Sequence, residues 1–307
     1  MNQAASSVTT VAAYPAPVVG RLAPTPSGYL HLGNAVNFVL TWLLVRQAGG
    51  TLHLRIDDLD RARLRPAYLD SIFRTIEWLG IDYDHGPSGP DDFLRHHSQL
   101  LHLPEYNQLL RRLRLVPGLL HASLRSRTQN AEVPADLDQP GAAWRAHVQP
   151  GVEVTFPDLW QGKTNVPLGR LMPDFVLRKK DGVVAYQLAS VADDLRLGTT
   201  LIVRGLDLLP STAAQLWLAR QLPETAAFCG PRVRFLHHPL LTDAQGQKLS
   251  KSQQLPLEQG VMGSGRGPQL VYEAVAKLWG LPPGNASSLA ELASSLPDHL
   301  RFTALLS

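Results

Sequence analysis

The spacing of apolar residues predicts a strand, a loop, a helix and a second strand near the start of the chain. The apolar run 18–22 is typical of a buried strand, and the loop pattern 23–29 that follows it is rich in proline and glycine. A helical pattern covers residues 33–47 and ends at two consecutive glycines. Residues 51–56 form a second strand pattern. This order predicts a βαβ unit and therefore a parallel α/β sheet.

The periodicity weakens in the middle of the chain. A helix is predicted over 68–79, and a pair of helices interrupted at Pro104 is predicted over 94–115. Residues 116–172 have little periodicity, so we interpret them as an insertion between two halves of the sheet. The remaining predicted elements are strands at 175–178, 200–204 and 235–241, a helix at 212–221 and a helical C-terminal region.

Composition narrows the class of protein. The chain has 307 residues, of which 44% are hydrophobic and 18% charged, and it has no apolar run of about 18 residues that could span a membrane. We expect residues 1–16 to be a disordered leader rather than a targeting segment, because they are mostly small and polar and lack a basic start and a signal-like apolar segment. The single cysteine, Cys229, excludes an intramolecular disulfide and a cysteine-based metal cluster, and a cytoplasmic location is expected. The net charge of +3 suits a polyphosphate partner without indicating nucleic acid by itself.

The loop before the first predicted helix is a candidate nucleotide site. It follows the first strand of an α/β sheet, where ligands bind, and the helix behind it offers free N–H groups to phosphate. His31 is able to hydrogen-bond a phosphate oxygen, and Gly33 permits a close approach of adenine or ribose. A lone histidine more often caps a helix, so the motif 31–34 is weak when taken alone.

A second motif strengthens the nucleotide hypothesis. Lys248 and Lys251 stand three residues apart, beside Ser250 and Ser252, directly after the predicted turn 243–246. Two ammonium groups on a loop could close over a triphosphate and stabilise charge on its α-phosphate. The alternative is a solvated basic loop. The two motifs together, on opposite halves of an interrupted sheet, predict ATP binding.

Four segments in this order resemble the signatures of the class I glutamyl-tRNA synthetases. They are residues 20–34, 55–60, 174–212 and 248–252. The resemblance extends over roughly 18–254 and implies an α/β fold of the class I synthetase type. Such a fold has a Rossmann-like parallel sheet, an inserted α+β subdomain and a short helical C-terminal region.

This resemblance implies a division of the chain into five parts. They are the leader 1–16, the first half of the catalytic domain 17–115, the inserted subdomain 116–172, the second half 173–245, and a C-terminal part 246–307 that carries the lysine loop. We expect no anticodon-binding domain.

The resemblance is closest to one branch of the family, the glutamyl-queuosine tRNA(Asp) synthetases. Residues 186–189 and 208–212 are similar to that branch, and the expected lack of an anticodon-binding domain agrees with it. The branch implies ATP-dependent activation of glutamate to glutamyl-adenylate and transfer to queuosine in the anticodon of tRNA(Asp). Its expected ligands are ATP with Mg²⁺, glutamate and that tRNA. We expect a monomer that does not bind membranes.

The resemblance also implies residue roles. Glutamate would be bound by Arg21, Ala23, Thr25, Asp57, Tyr186 and Arg204. ATP would be bound by His31, Gly33, Asn34, Lys248, Leu249, Ser250, Lys251 and Ser252. Catalytic assistance would come from His31, Lys248 and Lys251. Two guanidinium groups suit a dicarboxylate substrate, and the reaction needs positioning and charge stabilisation rather than a covalent nucleophile.

Structural alternatives remain open for three of these residues. Arg204 could simply pair with Asp193 or Asp194, and Tyr186 could be a core aromatic residue. His31 could serve only as a helix cap.

The sequence departs from the family pattern at two places. Asp57 stands where the family usually has glutamate, which is longer by one C–C bond of roughly 1.5 Å. The pocket would then be contracted, bridged by water or weaker for its amino acid. Ser123 and Arg125 stand where many family members have zinc-binding cysteines, so we predict no zinc and an insertion held by packing alone.

These departures leave other functions open. One is a non-catalytic or altered-specificity paralog that binds nucleotide or tRNA. Another is a small-molecule nucleotidyltransferase of the same superfamily, against which the set Arg21, Tyr186 and Arg204 argues. The RNA acceptor follows from the family resemblance and the expected lack of an anticodon-binding domain.

Overall fold

A computed structural model of the chain describes residues 17–125, 133–241, 260–282 and 287–295. In these segments the strands are β1 Val19–Leu22, β2 Thr51–Leu54, β3 Leu120–Ser123, β4 Pro134–Ala135, β5 Ala143–His147, β6 Val154–Asp158, β7 Gly162–Val166, β8 Asp174–Arg178, β9 Leu201–Gly205 and β10 Arg234–His238. The helices are α1 Leu32–Gln47, α2 Pro66–Trp78, α3 Pro90–Asp92, α4 Leu103–Arg114, α5 Leu168–Leu171, α6 Tyr186–Arg196, α7 Leu209–Ala219, α8 Gln269–Leu278 and α9 Leu289–Ser294. Short π or 3₁₀ turns lie at Phe93–His97, Gln99–His102, Leu206–Leu208, Ala226–Cys229 and Gly260–Ser264.

The main sheet has six strands in the order β2-β1-β9-β10-β6-β7. Its first five strands are mutually parallel, and β7 returns antiparallel to β6 at one edge. The predicted mainly parallel α/β sheet is therefore confirmed. Because the chain leaves β1 and β9 at the same edge, the loops that follow these two strands lie side by side.

Helix α1 covers the centre of this sheet and is apolar on most of its surface. Val36, Leu40, Leu43 and Leu44 are all fully buried between the sheet and α8. A helix that is covered on several sides needs no polar face, and burial of its apolar side chains stabilises it. The helix therefore holds its N-terminus rigidly at the sheet edge.

A second sheet has four antiparallel strands in the order β4-β3-β5-β8. The region 116–172 also supplies β6 and β7, which join the main sheet, whereas β8 lies beyond residue 172. Sheet pairing thus crosses the predicted boundary at 172, and the division of the chain into domains stays a prediction.

The predicted pair of helices over 94–115 is confirmed in its second helix only. Residues 93–102 form only short turns, and α4 begins at Leu103 with Pro104 in its first turn. Proline is well suited to that position because the first N–H groups of a helix have no partner within the helix. Pro104 therefore starts a helix and does not interrupt one.

The described segment that begins at Gly260 lies beside the loop that precedes α1. The N–H of Val261 donates to the carbonyl oxygen of Leu30 at 2.8 Å. Gly260 has φ +62°, and a Cβ there would lie 2.5 Å from the same oxygen, so a side chain is excluded on both grounds. This contact places the start of the C-terminal helical region next to His31.

No helix in the described residues is long and apolar enough to cross a membrane.

Candidate active site

A cavity of about 350 Å³ opens at the edge of the sheet where β1 and β9 end and α1 begins. Eight of the predicted site residues line it: Arg21, Ala23, Thr25, His31, Asn34, Asp57, Tyr186 and Arg204. The cavity is also lined by residues for which the sequence suggested no role, among them Asn37, Thr41 and Arg55. The fold therefore gathers the predicted glutamate and nucleotide residues around one space, while their roles stay predictions.

One buried carboxylate organises the basic side of the cavity. Asp194 Oδ1 accepts hydrogen bonds from Arg21 Nε at 2.8 Å and from Arg55 Nη1 at 2.7 Å. Arg204 Nη2 lies 4.0 Å from the other oxygen, Oδ2. All four side chains are less than a tenth exposed. Burial alone would raise the pKa of Asp194, but the three positive charges around it outweigh that effect and hold the pKa below its usual value.

Asp57 is held by Arg55 rather than pointing alone into the cavity. Its Oδ1 lies 2.7 Å from Arg55 Nε, and its Oδ2 lies 3.2 Å from Arg55 Nη2. Burial raises the pKa of Asp57 despite this pairing. The shorter aspartate side chain therefore makes a two-point contact with the arginine two residues before it, at the end of β2.

The neighbouring acid, Asp193, makes its short hydrogen bonds to other side chains, although its Oδ2 also lies 3.9 Å from Arg55 Nε. It accepts hydrogen bonds from Tyr106 Oη at 2.6 Å, Gln99 Nε2 at 2.7 Å and Arg196 Nη2 at 2.7 Å. Burial and the Asp193 carboxylate together raise the pKa of Tyr106, so its hydroxyl remains a donor. Asp193 thus connects α6 to Gln99 and to Tyr106 in α4, and Asp194 connects it to the arginines beside the cavity.

The charges beside the cavity do not balance. Three guanidinium groups, Arg21, Arg55 and Arg204, face two carboxylates, Asp57 and Asp194, which leaves one positive charge (three minus two). The carboxylate of Asp193 lies 3.9 Å from Arg55 but only 2.7 Å from Arg196, so we pair it with Arg196 and leave this difference unchanged. The other acid beside Arg196, Glu105 at 3.7 Å, is 43% exposed and its charge is screened by solvent. A buried excess charge is costly unless a ligand compensates it. The cavity is therefore suited to an anionic ligand.

Tyr186 is the first residue of α6 and is 40% exposed, so its interpretation as a core aromatic residue is wrong. It lies in the cavity wall together with Arg204. The alternative that Arg204 merely pairs with Asp194 describes the contact incompletely, because that contact is long at 4.0 Å. Both side chains are available to a ligand.

His31 precedes α1, and the two following candidate residues support its position. The N–H of His31 donates to Asn34 Oδ1 at 3.1 Å, which caps the helix. A Cβ at Gly33 would lie 3.1 Å from Cε1 and 3.2 Å from Nδ1 of the His31 imidazole. The capping interpretation of this segment is therefore correct in part, and Gly33 makes room for the imidazole.

Some predicted features are absent from the described site. The motif Lys248, Leu249, Ser250, Lys251 and Ser252 lies outside the described residues. At the position expected to lack zinc, the Ser123 hydroxyl accepts a hydrogen bond from the Arg125 N–H at 3.1 Å, and the Arg125 guanidinium lies 3.6 Å from Asp174. A guanidinium and a serine hydroxyl do not suit zinc, and the absence of zinc stays a prediction.

The residues that sequence reasoning missed left a detectable signal in one case. The missed residues Asn37 and Thr41 follow the predicted residue Asn34 at intervals of three and then four positions in an otherwise apolar helix. That spacing places them on one helix face, which here is the cavity wall. Arg55 stood in a recognised segment, but its contact with Asp194 joins residues 139 positions apart and left no local pattern.

Comparisons with known proteins agree on the class of this chain. The family described as tRNA synthetases class I (E and Q), catalytic domain, matches residues 17–113 and 124–295. The glutamyl-Q tRNA(Asp) synthetase of Symbiobacterium thermophilum is 37% identical over 291 residues, which cover 85% of this chain and 86% of that protein. The glutamyl-Q tRNA(Asp) synthetase of Ectopseudomonas mendocina is 39% identical over 298 residues, covering 92% and 90%.

A solved structure shows the same fold. A glutamate tRNA ligase from Elizabethkingia meningosepticum, crystallised with its amino acid, matches with a TM-score of 0.69 at 20% identity. The match covers 92% of this chain and 65% of that ligase, so the chain spans less than two thirds of the ligase's length. The predicted class I synthetase fold is confirmed by this likeness.

Proposed function

The chain belongs to the class I tRNA synthetases of the glutamate and glutamine type, in the glutamyl-Q tRNA(Asp) synthetase branch, and we propose that its cavity activates glutamate for transfer to queuosine in tRNA(Asp). The family membership implies the use of ATP. The names of the similar proteins supply the acceptor. The charge of the cavity supports the amino acid independently of those names.

The excess positive charge of the cavity is the observation that carries the proposal. Glutamate at neutral pH has two carboxylates and one ammonium group, and therefore one net negative charge. Three guanidinium groups facing two carboxylates leave one positive charge for it to neutralise. Glutamine has no net charge and would leave that excess uncompensated, which favours glutamate over its amide.

The proposed roles of the amino-acid residues follow from this arrangement. Arg21 binds the side-chain carboxylate of glutamate. Arg204 binds the amino acid in the same pocket through the guanidinium N–H groups that are not bound to Thr212 and Gln215. Asp57 accepts from the substrate ammonium group while remaining bound to Arg55. Tyr186 closes the outer side of the pocket and offers its hydroxyl.

The nucleotide is proposed to lie against the N-terminus of α1. There the helix presents free N–H groups and the positive end of its dipole, and His31 and Asn34 line the cavity. Lys248 and Lys251 are proposed to bind the phosphates, with Mg²⁺ held mainly by phosphate oxygens and water.

The proposed reaction has two steps. A carboxylate oxygen of glutamate attacks the α-phosphorus of ATP, the bond to the β-phosphate breaks, and pyrophosphate leaves. The glutamyl group of the adenylate then passes to queuosine, and AMP leaves. Both steps depend on positioning and on compensation of developing charge, for which fixed guanidinium and backbone N–H groups are suited.

Amino-acid-dependent exchange between ATP and labelled pyrophosphate tests the first step. We expect exchange with glutamate and none with glutamine or aspartate, measured with and without tRNA. A complete lack of exchange with every amino acid would contradict the proposal. Tight ATP binding without exchange would instead support the non-catalytic paralog.

A further inference from the structure

A chain of buried hydrogen bonds leads from Arg204 away from the cavity. Arg204 Nη1 donates to Thr212 Oγ1 at 2.9 Å and to Gln215 Oε1 at 2.7 Å. Thr212 Oγ1 lies 2.8 Å from His237 Nε2, and His237 Nδ1 lies 2.6 Å from Asp158 Oδ2. Thr212 and His237 are fully buried, and Arg204 and Asp158 nearly so. This series of hydrogen bonds connects β9, α7, β10 and the end of β6.

At its far end, this series of hydrogen bonds terminates at the carboxylate of Asp158. Asp158 Oδ1 accepts from the backbone N–H groups of Trp160 and Gln161, both at 2.9 Å, and of His237 at 3.2 Å. Burial alone would raise the pKa of Asp158, but the hydrogen bonds from His237 and the backbone outweigh it and hold the pKa low. The carboxylate is therefore ionised and only accepts, so His237 carries a proton on Nδ1.

The near end is fixed as well. A guanidinium group only donates, so Thr212 Oγ1 accepts from Arg204. Thr212 Oγ1 and His237 Nε2 are hydrogen-bonded at 2.8 Å whichever of the two atoms carries the proton between them, because a hydroxyl oxygen is able to accept two hydrogen bonds. Arg204, Thr212, His237 and Asp158 are therefore joined end to end by hydrogen bonds.

This arrangement divides the guanidinium of Arg204 into two functional sides. Both hydrogens of Nη1 are used by Thr212 and Gln215 in the protein wall. Among the described residues, the contacts of Nη2 are a long one with Ser190 Oγ at 3.4 Å and one with Asp194 at 4.0 Å. Nη2 thus has hydrogen-bonding capacity to spare, and its orientation depends on how firmly Nη1 is held.

We propose that His237 is a positioning residue for substrate binding: through Thr212 it fixes the Arg204 guanidinium so that the remaining donors face a carboxylate of the amino acid. This role rests on the proposed function of the cavity. His237 acts through two other side chains and is buried beneath the site. Its contribution should therefore appear in the affinity for glutamate and leave ATP binding unchanged.

Two matched pairs of variants test this role. His237→Asn keeps a donor for Asp158 but loses the partner of Thr212, whereas His237→Gln places an amide group near the lost Nε2 position. Thr212→Val removes the hydroxyl with little change in shape, and Thr212→Ser keeps it. Each variant is compared with the wild type by the KM for glutamate, the KM for ATP and kcat in pyrophosphate exchange, and by its melting temperature.

We expect His237→Asn and Thr212→Val to raise the KM for glutamate about tenfold and to change the KM for ATP by less than about twofold. His237→Gln and Thr212→Ser should restore most of the affinity. If His237→Asn does not fold, the threonine pair decides the question. Equal changes in both KM values, or no difference within the threonine pair, would overturn the inference. Lack of glutamate-dependent exchange by the wild type would instead refute the proposed function.

Discussion

Asp57 binds Arg55 through both of its carboxylate oxygens, at 2.7 Å and 3.2 Å. Arg55 in turn donates through Nη1 to Asp194. Asp57 is therefore connected, through Arg55 and Asp194, to the other two arginines beside the cavity. The family resemblance predicts glutamate at this position. With the shorter side chain, the carboxylate remains against the arginine, and in the proposed complex the substrate ammonium group would share it.

Removing the charge of Asp57 should therefore weaken amino-acid binding. We expect Asp57→Asn to raise the KM for glutamate by about tenfold or more, because a charged hydrogen-bond partner is lost from a buried site. The KM for ATP should stay close to that of the wild type. Asp57→Glu, which keeps the charge, is the matched control and should have the smaller effect. An unchanged glutamate KM in Asp57→Asn would mean that the residue serves only the fold.

The buried carboxylate of Asp194 should be important for stability. Asp194→Asn leaves three neighbouring guanidinium groups with insufficient compensation, and loss of one partner from a buried ion pair costs about 3–5 kcal/mol. The free energy of unfolding in urea measures this loss. Asp181→Asn removes an acid from an exposed pair with Lys179 and should cost about 1 kcal/mol or less. Similar losses in the two variants would contradict the central place of Asp194.

Gly33 should matter for the nucleotide more than for the fold. In Gly33→Ala the new Cβ would lie 3.1 Å from the His31 imidazole and displace it, while alanine itself favours the helix by about 1 kcal/mol. We expect a higher KM for ATP with an unchanged or raised melting temperature. Gly89→Ala is the control, because a Cβ there meets no atom within 4 Å. An ATP KM as unaffected in Gly33→Ala as in the control would exclude the proposed place of His31.

Acid should destabilise the protein partly through Asp158. Since the folded-state pKa of this residue is lowered, its stabilisation is complete above the pKa of an unfolded aspartate, about 3.9, and is lost as the pH falls through the folded-state value. Asp158→Asn should melt at a lower temperature near neutral pH but lose less of its remaining stability between about pH 5 and 3. Melting curves across this range provide the comparison. Parallel acid slopes for the two proteins would refute the assignment.

The sequence predicted the parts of the fold that have a strong local period. Strand β1, helix α1 and strand β2 were anticipated from apolar spacing, and their bounds agree closely with the structure. The strands between 120 and 166 were not, because they are short and their partners are distant. Asp158 in β6, for example, pairs with Phe235 in β10. Such pairings depend on tertiary packing that local propensity does not encode.

The site was predictable to the extent that its residues stand in recognisable segments. Arg21, Tyr186 and Arg204 were found through family resemblance, and the structure places all three at one cavity. The support behind them was not predictable. His237 looked like part of a strand, and its contact with Asp158 joins residues 79 positions apart. Buried hydrogen-bond networks of this kind become visible only when the elements are packed together.

Transfer of radiolabelled glutamate to tRNA(Asp) tests the central claim most directly. The purified protein is incubated with ATP, labelled glutamate and tRNA(Asp) that contains or lacks queuosine, each with and without its 3′ end. We predict labelling of the queuosine-containing tRNA alone, whether or not its 3′ end is present. Equal labelling of both tRNAs, or labelling that disappears when the 3′ end is removed, would contradict the account.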